Sequence, residues 1–274
     1  MNTTMPPATG AVDTHAHVFL PSLRMAPNRR YSPDYPATPE DYLGQLDQAG
    51  MAHGVLVQPS FLGTDNSYLL DALAAYPQRL RGIAVVDSTI DSATLKHMDT
   101  LGVRGIRLNL VGKELMDATD PQWQPLWENI RTLNWSVEVQ RNIDDVTAVV
   151  EQLLEQGLTT VVDHYGLPKG GVDKHQAQYQ RLTQQMQHHP ELWMKVSAPY
   201  RSGITPHQAH ACIDAVVNAC GHANQLVWGS DWPHTQFEDR IDYAQMTDFL
   251  AQAIPEAAER QRILVDNAAR LFRL

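Results

Sequence analysis

The chain has 274 residues, 43% apolar and 19% charged, a balance that excludes intrinsic disorder and a coiled coil and suits one (β/α) barrel of roughly 250 residues. Its 21 basic and 31 acidic side chains leave a net charge of −10; with no Lys/Arg run to follow a phosphate backbone, nucleic acid is not an expected partner. MNTTMPPATG lacks a signal-peptide pattern, no segment approaches the roughly 18 apolar residues of a membrane span, and Cys212 and Cys220, about 12 Å apart along one predicted helix, cannot form a disulfide, so a cytoplasmic protein with no membrane partner is expected.

Residues 1 to 10 read as a flexible tail and 11 to 274 as one domain. Short β-branched runs then alternate with longer amphipathic stretches. The strand runs are AVDTHAHVF (11 to 19), HGVLVQPS (53 to 60), RGIAVVD (81 to 87), RGIRLNL (104 to 110), WSVEVQ (135 to 140), TTVVDHYG (159 to 166), LWMKVSA (192 to 198) and QLVWGSDW (225 to 232). Thr38, Pro39, Asp41 and Gly50 punctuate the first helix as cap, first-turn proline, capping-box partner and left-handed stop, and Gly102, Gly157 and Gly221 end later helices. Eight strand and helix pairs predict an α/β fold, a single-domain (β/α)8 TIM barrel. The first βα turn carries HVFLPS rather than G-x-G-x-x-G, which argues against a dinucleotide-binding sheet. The last stretch, PEAAERQRILVDNAARLF, is predicted to close the barrel floor.

Barrel enzymes build their sites at the C-terminal strand ends. These ends carry Asp13, His15 and His17; Gln58 and Ser60; Asp87; Arg107 and Asn109; Glu138 and Gln140; His164; Lys195 and Ser197; and Asp231 with His234 beyond. His15 and His17, two apart on a strand, share a face. Barrel closure sets the last strand beside the first, so Asp231 is expected to meet them, with His164 at the same mouth.

These segments resemble the amidohydrolase superfamily, in particular the branch of 2-pyrone-4,6-dicarboxylate hydrolase and related sugar-lactone and muconolactone hydrolases. The resemblance rests on VDTHAHVF (12 to 19), VQPSFLGTDN (57 to 66), RGIAVVD (81 to 87), RGIRLN (104 to 109), VVDHYGLP (161 to 168), WMKVSAPYR (193 to 201) and VWGSDWPH (227 to 234). It implies a (β/α)8 hydrolase that opens a small carboxylated lactone with water activated by Asp231. Binuclear members are similar to one another in a bridging lysine or glutamate on strand four and a histidine on strand five. Arg107/Asn109 and Val139/Gln140 stand there here, so a two-metal centre is not expected, and Glu138 is expected to pair deep in the barrel. One zinc ion on His15, His17 and Asp231, with or without His164, is chemically sound; similar lactone hydrolases work without metal, and none is expected to be obligatory. The same residues suit two alternatives on this fold, a metal-dependent non-oxidative decarboxylase and a lactone isomerase.

In the hydrolase reading Asp231 is the general base, His15, His17 and His164 polarise the carbonyl oxygen, and His234 orients Asp231 or the water. Arg107, Arg201 and Lys113 are the expected cations for a small anionic lactone, with Gln140, Asn109, Ser60 and Tyr31 as further contacts. Arg107 has an internal ion pair to Glu138 or Asp87 as its alternative. Arg79, Arg81 and Arg104 precede strands and belong to the opposite face, and Lys195 is expected in an ion pair rather than a Schiff base. The dicarboxylate hydrolases that the chain resembles carry arginine at the positions of Lys113 and Leu167 and tyrosine at that of Gln140. Fewer guanidinium forks point to a different acid, such as a monocarboxylate, a sugar-acid lactone or a sulfonated muconolactone.

Overall fold

A computed structural model describes residues 10–274. The tail expected at residues 1 to 10 lies, except for Gly10, outside the described residues. Eight strands, β1 (Val12–Ala16), β2 (His53–Val57), β3 (Leu80–Ala84), β4 (Val103–Asn109), β5 (Ser136–Gln140), β6 (Thr159–Val162), β7 (Leu192–Ser197) and β8 (Leu226–Gly229), pair in parallel in chain order. The ring closes between β1 and the end of β8. There Thr14 Oγ1 donates to the Trp228 carbonyl at 2.8 Å, the Asp231 N–H to the His15 carbonyl at 2.8 Å, and the His17 N–H to the Trp232 carbonyl at 2.7 Å.

Helices cover the outside: α1 (Pro39–Ala49), α2 (Ser67–Ala75), α3 (Ser92–Leu101), α4 (Gln124–Thr132), α5 (Val146–Glu155), α6 (Gln176–His188), the short α7 (Pro199–Ser202), α8 (Pro206–Cys220), α9 (Tyr243–Ala253), α10 (Ala257–Gln261) and α11 (Asn267–Phe272). α1 begins with the expected capping box between Thr38 and Asp41 and ends at left-handed Gly50, each such cap contributing about 1 kcal/mol. Cys212 and Cys220 are both free on α8. None of the helices among the described residues is long and apolar enough to cross a membrane.

Ala268, Leu271 and Phe272 of α11 plug the barrel floor against Val12, Val55, Val57, Ile83, Val161, Trp193 and Val227. Each fully buried apolar side chain of this kind contributes roughly 1.5–3 kcal/mol. With the lower layer apolar and sealed, polar side chains can occupy only the upper layers. The strands supply them by alternation: Trp193, Lys195 and Ser197 follow one another up β7, and Glu138 and Gln140 up β5.

On β1 the alternation is broken. Val12 belongs to the floor, yet His15, three residues on, also faces inward, because the register with β2 shifts between Asp13 and Ala16. Such a bulge re-aims the following side chains. Asp13 is thereby held away from the mouth, accepting from the Ser230 N–H at 2.8 Å, Ser230 Oγ at 2.6 Å and Tyr243 OH at 3.0 Å. Gly229 completes the arrangement. A Cβ there would lie 2.5 Å from that of His15, so only glycine lets the imidazole settle beside β8.

Candidate active site

His15, His17, His164 and Asp231, separated by up to 216 positions in the chain, converge at the C-terminal mouth of the barrel. Asp231 Oδ1 lies 3.4 Å from His17 Nε2 and 3.7 Å from His15 Nε2. The His15 ring is 5.0 Å from that of His17 and 4.7 Å from that of His164. All four residues are buried, and Asp231 Oδ1, His15 Nε2 and His164 Nε2 have no hydrogen-bond partner within the protein. Unsatisfied buried polar atoms are costly; several aimed at one space mark it as built for something else to bind. Backbone strain accompanies the site, since Asp231 (φ 63°) and His164 (φ 57°) both sit in the left-handed region, at about 1 kcal/mol or more each.

The other ends of these groups are anchored. His17 Nδ1 donates to the Val57 carbonyl at 2.7 Å, and His164 Nδ1 meets Ser197 Oγ at 2.7 Å. Asp231 Oδ2 accepts from Arg201 Nε and from Tyr200 OH, both at 2.6 Å. Below lies a buried ionic layer. Lys195 Nζ is 2.6 Å from Glu138 Oε1, 3.4 Å from Asp163 Oδ1 and 3.1 Å from His15 Nδ1, while Arg107 donates to Asp163 Oδ2 at 3.1 Å and to Gln140 Oε1 at 2.7 Å.

Above the four groups opens a cavity whose lining includes Arg30, Arg107 and Arg201 as well as Tyr31, Ser60, Asn109, Gln140 and Thr235. Of the residues expected here, Lys113 is not brought in: it is exposed and absent from the lining. Lys113 follows Gly112, which sits in the left-handed region at φ 73°. His234 is buried but neither lines the cavity nor bonds the Asp231 carboxylate; its ring packs against Tyr200 at 5.9 Å. The two groups that do hold that carboxylate are Tyr200 and Arg201. Arg107 pairs with Asp163, not with Glu138 or Asp87. Tyr31 lines the cavity with its hydroxyl already given to Glu238 Oε1 at 2.5 Å.

Asp163, Arg30 and Tyr200 were missed by sequence reasoning. Strict alternation allows only one of Asp163 and His164 inside, and the left-handed turn at His164 brings in both. Arg30 sits in a long loop whose path no periodicity reveals; its guanidinium reaches Asn109 Oδ1 at 3.3 Å. The tripeptide PYR after β7 was the available signal for Tyr200.

Burial pushes up the Asp231 carboxyl, but the Arg201 guanidinium foremost holds it well below the usual carboxylate range. Desolvation drives His15 well below its ordinary value, helped by Lys195, and lowers His164 to about 4. Near pH 7 the centre therefore pairs an ionised carboxylate with neutral His15 and His164. Burial lifts Glu138 to about 7 in spite of Lys195.

The amidohydrolase family profile matches residues 12–274. The chain belongs to the amidohydrolase family. This amidohydrolase is 33% identical over 278 residues to 2-pyrone-4,6-dicarboxylate hydrolase of Comamonas testosteroni, covering 96% of this chain and 90% of that one. It is 30% identical over 281 residues to 4-sulfomuconolactone hydrolase of Rhizobium radiobacter, again covering 96% and 90%. It also superposes on the crystal structure of a probable 2-pyrone-4,6-dicarboxylic acid hydrolase from Acinetobacter baumannii with citric acid bound, with a TM-score of 0.91, 36% identity and coverage of 97% and 100%.

In this amidohydrolase one ligand atom each of His15, His17 and Asp231 lies within 4.8 Å of the others. Bonds of about 2.0–2.1 Å would put tetrahedral zinc ligands about 3.3 Å apart, close to the 3.4 and 3.7 Å observed. Spacing and atom types suit zinc, but the polarity of His15 does not. A histidine that ligates through Nε2 donates its other N–H to an acceptor, whereas His15 Nδ1 faces the Lys195 ammonium, which only donates. The second converging set, His15, Asp163 and His164, shares this fault and has Arg107 and Lys195 already on its carboxylate. These residues as arranged do not fit the ion.

Proposed function

We propose that this protein is a lactonase that opens the ring of a small carboxylated lactone, with no metal required. The observation that carries the proposal is the free Oδ1 of Asp231, ionised and aimed at the cavity beside two imidazole Nε2 atoms. His17 Nδ1 bonds a carbonyl, so it carries a proton, which leaves Nε2 to act as an acceptor in this scheme. A water whose two hydrogens point to Asp231 Oδ1 and His17 Nε2 then turns a lone pair to the substrate. As the water oxygen bonds the carbonyl carbon, Asp231 takes one proton, and negative charge collects on the carbonyl oxygen. Imidazole N–H groups of His15 and His164 receive that charge. Collapse breaks the bond to the ring oxygen, which takes the proton from Asp231. The product is one ring-opened molecule bearing a new hydroxyl group and a new carboxylic acid, whose proton, the second hydrogen of the water, is given up to solvent to leave a carboxylate.

Arg30, Arg107 and Arg201 support an anionic substrate, because three guanidiniums share a cavity with one free carboxylate oxygen. Arg30 is the least committed and suits a carboxylate or sulfonate remote from the scissile bond. The similarity to a pyrone-dicarboxylate hydrolase and a sulfomuconolactone hydrolase supports the same class. The metal-dependent decarboxylase has the polarity of His15 against it. The isomerase shares this chemistry, with a substrate hydroxyl replacing water.

Carboxylated and sulfonated lactones are to be assayed with wild type and Asp231→Asn, with and without chelator, and the products analysed by NMR. Ring-opened acid, undiminished by chelator and reduced about 10²–10⁴-fold in the variant, is the expected result. Full activity of the variant, or released carbon dioxide, would overturn the reading; an isomeric lactone as product would assign the isomerase.

A further inference from the structure

Lys195 is fully buried on β7, beneath Ser197, and the hydrolytic scheme above gives it no task. Its ammonium has three N–H donors and no lone pair. Two acceptors bond it, Glu138 Oε1 at 2.6 Å and His15 Nδ1 at 3.1 Å, and Asp163 Oδ1 lies at ion-pair distance, 3.4 Å away. An imidazole nitrogen that receives an N–H bears no proton itself. With Nδ1 bare, the proton of the ring must reside on Nε2, the atom 3.7 Å from Asp231 Oδ1.

Without Lys195 the preference would reverse. Asp163 Oδ1 lies 3.6 Å from His15 Nδ1, and a carboxylate there favours the Nδ1–H tautomer with a bare Nε2. That is the polarity of a metal-ligating histidine. One buried ammonium thus separates two kinds of centre built from the same imidazole.

We propose that Lys195 is a positioning residue that locks His15 as the Nε2–H tautomer, so that His15 presents a hydrogen-bond donor to the substrate carbonyl oxygen. The role of that donor rests on the lactonase reading; the tautomer itself does not. Glu138 takes part by holding the ammonium in place, its Oε1 being the nearer of the two acceptors. Arg107 contributes by engaging the other oxygen of Asp163, which leaves Oδ1 for Lys195. This layer explains why four charged side chains lie where an apolar barrel interior would be less costly: buried ion pairs add little net stability, but they can impose polarity and orientation.

The test is histidine-selective 15N NMR on the intact protein, with the His15 signals identified by their absence in His15→Asn. The expected wild-type spectrum has a protonated Nε2 and a bare Nδ1 for His15. Lys195→Arg, which keeps a donor, should preserve it. The paired variant Lys195→Met/Glu138→Leu removes both charges together, so that neither remains buried alone; it should shift the proton to Nδ1 and tighten Zn2+ binding, measured by titration calorimetry, roughly tenfold or more. A proton on Nδ1 in the wild type, or on Nε2 in the folded paired variant, would overturn the proposal. Should the paired variant not fold, the wild-type spectrum decides alone. The expected tautomer in a protein that opens no lactone would leave the proposal standing for Lys195 and refute the lactonase reading.

Discussion

Arg201 donates through Nε to Oδ2 of Asp231 at 2.6 Å while the opposite oxygen, Oδ1, stays unbonded within the protein. One carboxylate thus has an anchored end and a working end. Arg201 is itself fixed to Thr235 and over the rings of Tyr200 and Phe237, so the anchor is rigid.

The anchor sets the acid limb of activity. Asp231 works as a base only when ionised, and its lowered value keeps it so far below pH 7. In Arg201→Gln the limb of kcat/KM should move up by about 1–3 pH units. A limb that stays in place in an active variant would show that Arg201 does not govern this carboxylate.

Arg30 is expected to act in binding and not in chemistry. Arg30→Gln removes one charge-assisted hydrogen bond, worth about 1.5–3 kcal/mol. KM for an anionic lactone should rise roughly ten- to hundredfold with kcat nearly unchanged, and added salt should weaken wild type more than the variant. A selective fall in kcat would contradict this assignment.

Lys113 serves as the contrast. Its exposed side chain lies off the cavity, so Lys113→Ala should leave kcat/KM within about twofold of wild type. A larger loss would place the loop after β4 in the substrate site after all.

Burial holds His234 at about 4, below its ordinary 6.5. The unfolded chain therefore takes up a proton between these values that the folded protein refuses, and stability falls as pH drops from 6.5 toward 4. Integrated from pH 7 to pH 5, this amounts to roughly 2 kcal/mol. Glu138, raised to about 7, acts in the opposite direction, since its folded form gains a proton over this range. In His234→Phe the histidine share disappears, so urea midpoints measured at both pH values should show the variant losing less stability on acidification. Equal losses would mean that His234 is already solvated or paired.

The periodic features of this chain were legible without coordinates. Eight β-branched runs, the Thr38 capping box and the inward parity of Arg107, Glu138 and Gln140 all follow from side chains alternating along strands and recurring along helices. The approach of Asp231 to His15 and His17 followed from closure, which places first and last strands side by side whatever the loops do. Arg30 and Lys113 show where this reasoning stops: loop paths have no period, and the arginine came inside while the lysine stayed out.

What the sequence by itself determined is which residue types stand at the strand ends and hence which chemistry is available there. Tertiary structure decided the polarity and the partners. The β1 bulge and the left-handed turn at His164 override strict alternation, and the contacts of Asp231 with Arg201 and of His15 with Lys195 join distant segments. The physical reason is that alternation is a property of the local backbone, whereas the protonation of a buried group is set by whichever charges the fold brings within a few ångströms of it.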